Sequence, residues 1–121
     1  MDTPKHEAGP LLQKSFAFAV RVMKCHRYLQ TNEREFIVSK QLIRSATSIG
    51  ANAEEATGAI SHADFSSKIS IAYKEARETS YWLRLLHAAG YLEDKLFASL
   101  HDACQQLCRI LYSILRSSGR A

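Results

Sequence analysis

The chain has 121 residues, 46% hydrophobic and 23% charged, with a net charge of +4. That suffices for one domain with its own core and leaves no composition for a second. No run approaches the ~18 apolar residues of a membrane span and no signal-peptide core follows Met1-Asp2-Thr3-Pro4, so a soluble, cytoplasmic protein is expected.

Two prolines and five glycines against plentiful Ala, Leu, Lys, Arg and Glu give a helical composition. Residues 1–9 are expected to be a flexible N-terminus. Pro10 suits a first helical position, and Leu12, Phe16, Ala19 and Met23 keep the rhythm of one helix face, which predicts helix 1 from about 10 to 30. Leu11, Phe18, Val22, Cys25 and Leu29 form a second apolar flank. Lys14, Arg21 and Lys24 share an arc opposite the apolar face, in a segment, residues 11–30, that holds no acid.

Thr31-Asn32-Glu33 offers a capping start for helix 2, from about 33 to 58, with the stripe Val38, Leu42, Ala46, Ile49, Ala53, Ala56 and Ile60. Ser61-His62-Ala63-Asp64 reads as a capping box for helix 3, whose seam is Phe65, Ile69, Ala72, Ala76, Thr79, Leu83 and Leu86 and whose end is Gly90 as the C′ residue. Leu96, Leu100, Ala103, Leu107, Ile110 and Ile114 define helix 4, from about 93 to 117, before a flexible C-terminus at 118–121. Helices about 30 to 40 Å long joined by few residues must alternate in direction, so residues 10–117 are expected to form an all-α, antiparallel up-down-up-down four-helix bundle.

Helix 4 carries an apolar arc of roughly 160°, from Ile110 to Cys108, where a surface helix needs about 100°. With the double flank of helix 1, this leaves either an unusually wide core or homo-oligomerisation through helices 1 and 4, and the latter is the expectation adopted. Cys25, Cys104 and Cys108 have no disulfide-framework spacing and are expected to be reduced.

Helix 2 places Gln41, Ser45, Ser48, Asn52 and Glu55 together at the edge of its apolar stripe, with Arg44 just beyond. Helix 3 sets Glu75 between Ile71 and Trp82, with Glu78 one turn on. A turn near Ala59-Ile60 brings Arg44 or Ser45 level with Glu75 and Gln41 level with Glu78. Charges drawn from water need partners, so Arg44 or Lys40 is expected to neutralise Glu75 or Glu78, with Asn52 satisfying groups near Lys68.

No glutamate is followed at the third position by a histidine, as a di-iron bundle would require, and His101, Cys104 and Cys108, though one turn apart, read as core fillers rather than zinc ligands. No nucleophile elbow or phosphate loop occurs. No catalytic residues, metal or cofactor are expected.

The run Gln41-Leu42-x-Arg44-Ser45-Ala46-x-Ser48-Ile49-x-Ala51-Asn52, followed by Glu54-Glu55-Ala56, Asp64-Phe65, Lys68, Lys74 to Thr79 and Trp82-Leu83, resembles the signature of the 23S rRNA intervening sequence four-helix bundle proteins. These are in turn similar to the accessory variability determinant of diversity-generating retroelements. Many members read Asn-Ile-Ala-Glu-Gly where this chain has Asn52-Ala53-Glu54-Glu55-Ala56, which leaves open which of Glu54 and Glu55 takes the usual glutamate's place. The resemblance implies a homopentamer around a central channel, without known catalysis. Its accessory relatives bind nucleic acid and a reverse transcriptase through basic surfaces.

The function expected is therefore a non-catalytic oligomeric adaptor that binds RNA or DNA electrostatically through Lys14, Arg21 and Lys24 on helix 1 and Arg109 and Arg116 on helix 4. The alternative is a protein-interaction scaffold whose basic faces meet an acidic protein.

Overall fold

The computed structural model describes residues 2–118, and side chains from residue 9 onward. Its helices are α1 (Asp2–Thr31), α2 (Val38–Thr57), α3 (His62–Ala88) and α4 (Asp94–Ser117), with no strand among the described residues. Each helix packs against two others, α1 and α3 both against α2 and α4, and among the described residues the backbones of diagonal helices do not approach one another closely.

α1 begins eight residues before the expected start near residue 10 and carries Pro10 inside it. Pro10 forfeits one backbone hydrogen bond, while Pro4 sits in the first turn, where the missing N–H has no helical partner anyway. Of the expected flexible C-terminus only Ser118 is described, as the cap of α4; residues 119–121 lie outside.

α2 begins at Val38 rather than 33. The N-cap residue, Ile37, makes no side-chain bond, and the helix start is capped by Glu35, whose Oε2 accepts from the N–H groups of Ile37 (3.2 Å) and Val38 (3.1 Å) and whose Oε1 accepts from Ser39 N–H at 2.7 Å. Ser39 Oγ donates back to the Glu35 carbonyl at 2.7 Å. Thr31 and Asn32 instead bond each other, and Arg34, at φ 54°, turns the chain between the helices.

α3 opens on the capping box read from the sequence: Ser61 Oγ accepts from Asp64 N–H at 3.0 Å. It closes on both bonds of a Schellman motif, Tyr91 N–H to the Leu86 carbonyl (2.9 Å) and Gly90 N–H to the His87 carbonyl (3.1 Å). Gly90 sits there at φ 88°, where a Cβ would be strained.

Within the core, Ala46, Ala53, Ala72 and Ala76 are fully buried on α2 and α3 between Leu42, Ile49, Phe65, Ile69 and Leu83. These small residues let α2 and α3 approach closely enough for polar groups at the seam's edges to meet. Gly50 does the same for α1 and α2, since a Cβ there would lie 3.4 Å from Ser15 Oγ.

Of the two apolar flanks of α1, it is the second that faces the core. Leu11, Phe18, Val22, Cys25 and Leu29 are buried, whereas Phe16 and Met23 are 69% and 52% exposed. The series Leu11, Ser15, Phe18, Val22, Cys25, Leu29 keeps helical spacing to the end of α1; the Leu12, Phe16, Ala19, Met23 series runs on into His26, Arg27 and Gln30. The longer flank buries more apolar surface and wins. On α4 the surplus arc turns inward: Leu100, Cys104, Leu107, Cys108, Leu111, Ile114 and Leu115 are all buried.

Candidate functional site

Two polar constellations flank α3. Between α2 and α3, Arg44 Nη1 lies 3.2 Å from Glu75 Oε2, its Nη2 meets Glu78, and its Nε donates to Gln41 Oε1 at 3.3 Å. Trp82 Nε1 donates to the same Glu78 oxygen at 2.9 Å. Lys68 pairs with Glu55 at 2.9 Å. The Asn52 expectation is corrected: its amide donates within its own helix, to Ser48 O (2.9 Å) and Ser48 Oγ (3.0 Å), and does not serve groups near Lys68. An amide one turn after a serine reaches its own backbone more easily than a neighbouring helix.

Below these surface pairs Ser45 Oγ and Thr79 Oγ1 meet at 2.8 Å, both residues fully buried. Arg44 is half exposed, so its ion pairs are solvent-screened and worth at most about 1 kcal/mol each. The hidden hydroxyl pair contributes a comparable amount, about 0.5–1.5 kcal/mol for a buried hydrogen bond, since each hydroxyl also reaches a carbonyl of its own helix, Leu42 for Ser45 and Glu75 for Thr79. This constellation is a structural lock.

The second constellation lies in an open groove of about 960 Å³ between α3 and α4. Arg77 and Arg84 line it from α3, Arg109 and Arg116 from α4, with Tyr73 and Tyr112 between them. Each arginine pair is seven residues apart, two helical turns, and therefore on one face. Among the described residues none of the four meets a carboxylate within 4.0 Å. Glu78 also lines the groove, but its carboxylate is committed to Arg44 and Trp82.

The groove's field reaches its floor. Cys108 is held below its ordinary pKa, first by hydrogen bonding with Cys104 and then, against the effect of burial, by Arg77 and Arg109. His101 is likewise held low, by burial and then by Arg84; its Nε2 lies 2.9 Å from Ser80 Oγ. Cys104 Sγ also lies 3.3 Å from the Ala76 carbonyl.

The five basic residues singled out in the sequence do not form one patch. Arg109 and Arg116 share the groove, while Lys14 and Arg21 lie across α4, donating to Gln106 Oε1 (3.2 Å) and Ser99 Oγ (2.6 Å). Lys24 joins Arg21 beside a smaller hollow of about 470 Å³. Sequence reasoning missed Arg77, absorbed there into the charged run Lys74 to Glu78, and also Arg84, although their seven-residue spacing was the available signal.

The family model for the 23S rRNA-intervening sequence protein matches residues 10–113. The chain belongs to this family. The family segment spans all four helices and holds three of the groove's arginines, stopping just short of Arg116. The chain is also similar to a crystal structure from Bacteroides thetaiotaomicron, described as a protein of unknown function from the S23 ribosomal protein family. The two share 41% identity at a TM-score of 0.89, over 91% of this chain and 98% of that one. No curated protein matches the chain. Among the described residues no helix is long and apolar enough to cross a membrane.

Proposed function

We propose that this intervening sequence family member is a non-catalytic, cytoplasmic, homo-oligomeric accessory protein that binds RNA or DNA through its phosphate backbone. The observation that carries the reading is the α3–α4 groove, where four arginines from two helices converge without a carboxylate partner among the described residues. A guanidinium is always charged and matches phosphate geometry, so such a row attracts polyanions. Lys14, Arg21 and Lys24 add a second basic strip across α4.

The up-down-up-down course of the bundle belongs to the same proposal. It is supported by pairs whose numbers rise on one helix as they fall on the next: Ser45 with Thr79 and Glu55 with Lys68, Ser80 with His101 and Tyr73 with Tyr112, Lys14 with Gln106 and Arg21 with Ser99. Pentameric assembly is supported by the family resemblance and by the apolar stripe that α1 leaves uncovered.

Fluorescence anisotropy with labelled RNA and DNA at about 50 and 200 mM salt tests the binding. Each neutralised phosphate contributes about −0.7 to −0.9 to the slope of log affinity against log salt, so binding must weaken steeply between the two. Flat titrations at low salt would falsify the proposal.

A further inference from the structure

We infer that the α3–α4 groove is built for a single polynucleotide strand rather than a duplex. The inference rests on the nucleic-acid reading above and narrows it to a substrate class. Its first support is the layout of the arginines. Tyr73 faces Tyr112, Ala76 meets Cys104 and Ser80 meets His101, which fixes how the two walls align. In that alignment Arg116 and Arg109 line one end and Arg77 and Arg84 the other, so the guanidiniums follow one another along a path of roughly 25 Å at 1.5 Å per residue. A single file of charges suits one backbone.

The second support is width. Neighbouring helix axes lie about 8–10 Å apart, and a duplex, whose major groove alone is ~12 Å wide, is too broad to enter the valley between them. A duplex could only rest on the rims, whereas a strand can lie inside.

The third support is aromatic. Tyr73 is held in place: Arg77 donates to its hydroxyl at 3.0 Å and sits 5.8 Å over its ring. Tyr112 lies against it, ring centroids 5.9 Å apart and tilted by 43°, and is itself 41% exposed. The pair is an anchored ring carrying an open one, set between Arg109 and Arg116 where a base would follow its phosphate. Stacking on an exposed ring needs an unpaired base and tolerates any sequence. The bases of a duplex are stacked on one another and cannot use it.

The test compares labelled 12-nucleotide single strands, RNA and DNA separately, with a 12-base-pair duplex at about 100 mM salt. Single strands of either sugar should bind at least ten-fold more tightly than the duplex. Tyr112→Ala should weaken strand binding roughly five- to hundred-fold and leave duplex binding unchanged, while Tyr112→Phe keeps the wild-type value. Arg109→Gln, at an exposed position, should weaken strand binding and flatten its salt slope by about 0.7. Circular dichroism of each variant confirms the fold. Salt-sensitive binding in which the duplex equals or exceeds the strand overturns this inference and leaves the proposed function standing. Strand binding indifferent to both Tyr112→Ala and Arg109→Gln also overturns it, and no binding at low salt overturns both.

Discussion

Ser66 and Thr79 are both buried hydroxyl residues on α3, and they differ in whether the hydroxyl has a partner. Thr79 Oγ1 meets Ser45 Oγ and the Glu75 carbonyl, each at 2.8 Å. Ser66 Oγ has no partner among the described residues. Thr79→Val should therefore cost about 1–2 kcal/mol, and Ser66→Ala, which removes an uncompensated polar atom, should be neutral or stabilising. In thermal melts followed by circular dichroism the valine variant should fall by about 4–8 °C while the alanine variant holds or rises. Equal losses in both would contradict this account of the seam. Residues were unevenly legible: Arg44 stood out because a charge beside an apolar stripe demands a partner, whereas the Ser45–Thr79 bond is silent in sequence, since a hydroxyl suits a helix edge with or without one. Asn52 was misread because its amide had two reachable targets, and Arg77 was missed because a charged run hides its own periodicity.

The helices themselves were legible wherever a standard cap marks the end. Ser61, Asp64 and Gly90 fixed α3 at both ends, but α2 was placed about five residues early because its N-cap is Ile37, which caps nothing, and the first N–H groups are met instead by Glu35, a residue type outside the usual capping set. Glu35 carries a testable consequence. Burial pushes its carboxyl up, yet the N–H groups of Ser39, Val38 and Ile37 outweigh that and leave it below its ordinary 4.5. A carboxyl depressed in the folded state stabilises fully above its unfolded pKa, and the contribution is lost as pH falls through the folded value. Glu35→Gln should therefore cost about 1 kcal/mol at pH 7, and its melting temperature should converge on that of the wild type as pH is lowered below about 4. A gap that stays constant down to pH 3 would mean that the charge of Glu35 does not hold the start of α2.

At the scale of the whole molecule, the apolar surplus that suggested assembly divides unequally. α4 turns its wide arc into the core, as the wide-core alternative had it, and α1 keeps Phe16, Val20 and Met23 outside at 69%, 39% and 52% exposure. At 100° per residue these three lie within about 60° of one another, a single stripe. The sequence showed both flanks of α1 but not which faced inward, because that depends on where the other three helices pack. A stable interface buries about 800 Å² per partner, more than three side chains supply, so the proposed assembly requires a larger complementary face opposite the stripe. In a closed ring of five that face belongs to a different part of the neighbouring subunit, so one patch recurs at every junction. The double substitution Phe16→Glu with Met23→Glu should then dissolve the proposed ring at once. Light scattering at micromolar concentration should give several subunits for the wild type and the 13.6 kDa of a single chain for the variant. Helicity should be unchanged, since neither side chain supports the monomer's core. A wild type already at one subunit's mass would remove the assembly, and an oligomer indifferent to both charges would move its interface off α1. If the ring dissolves while strand binding persists at reduced apparent affinity, the groove works within one chain and the assembly multiplies it.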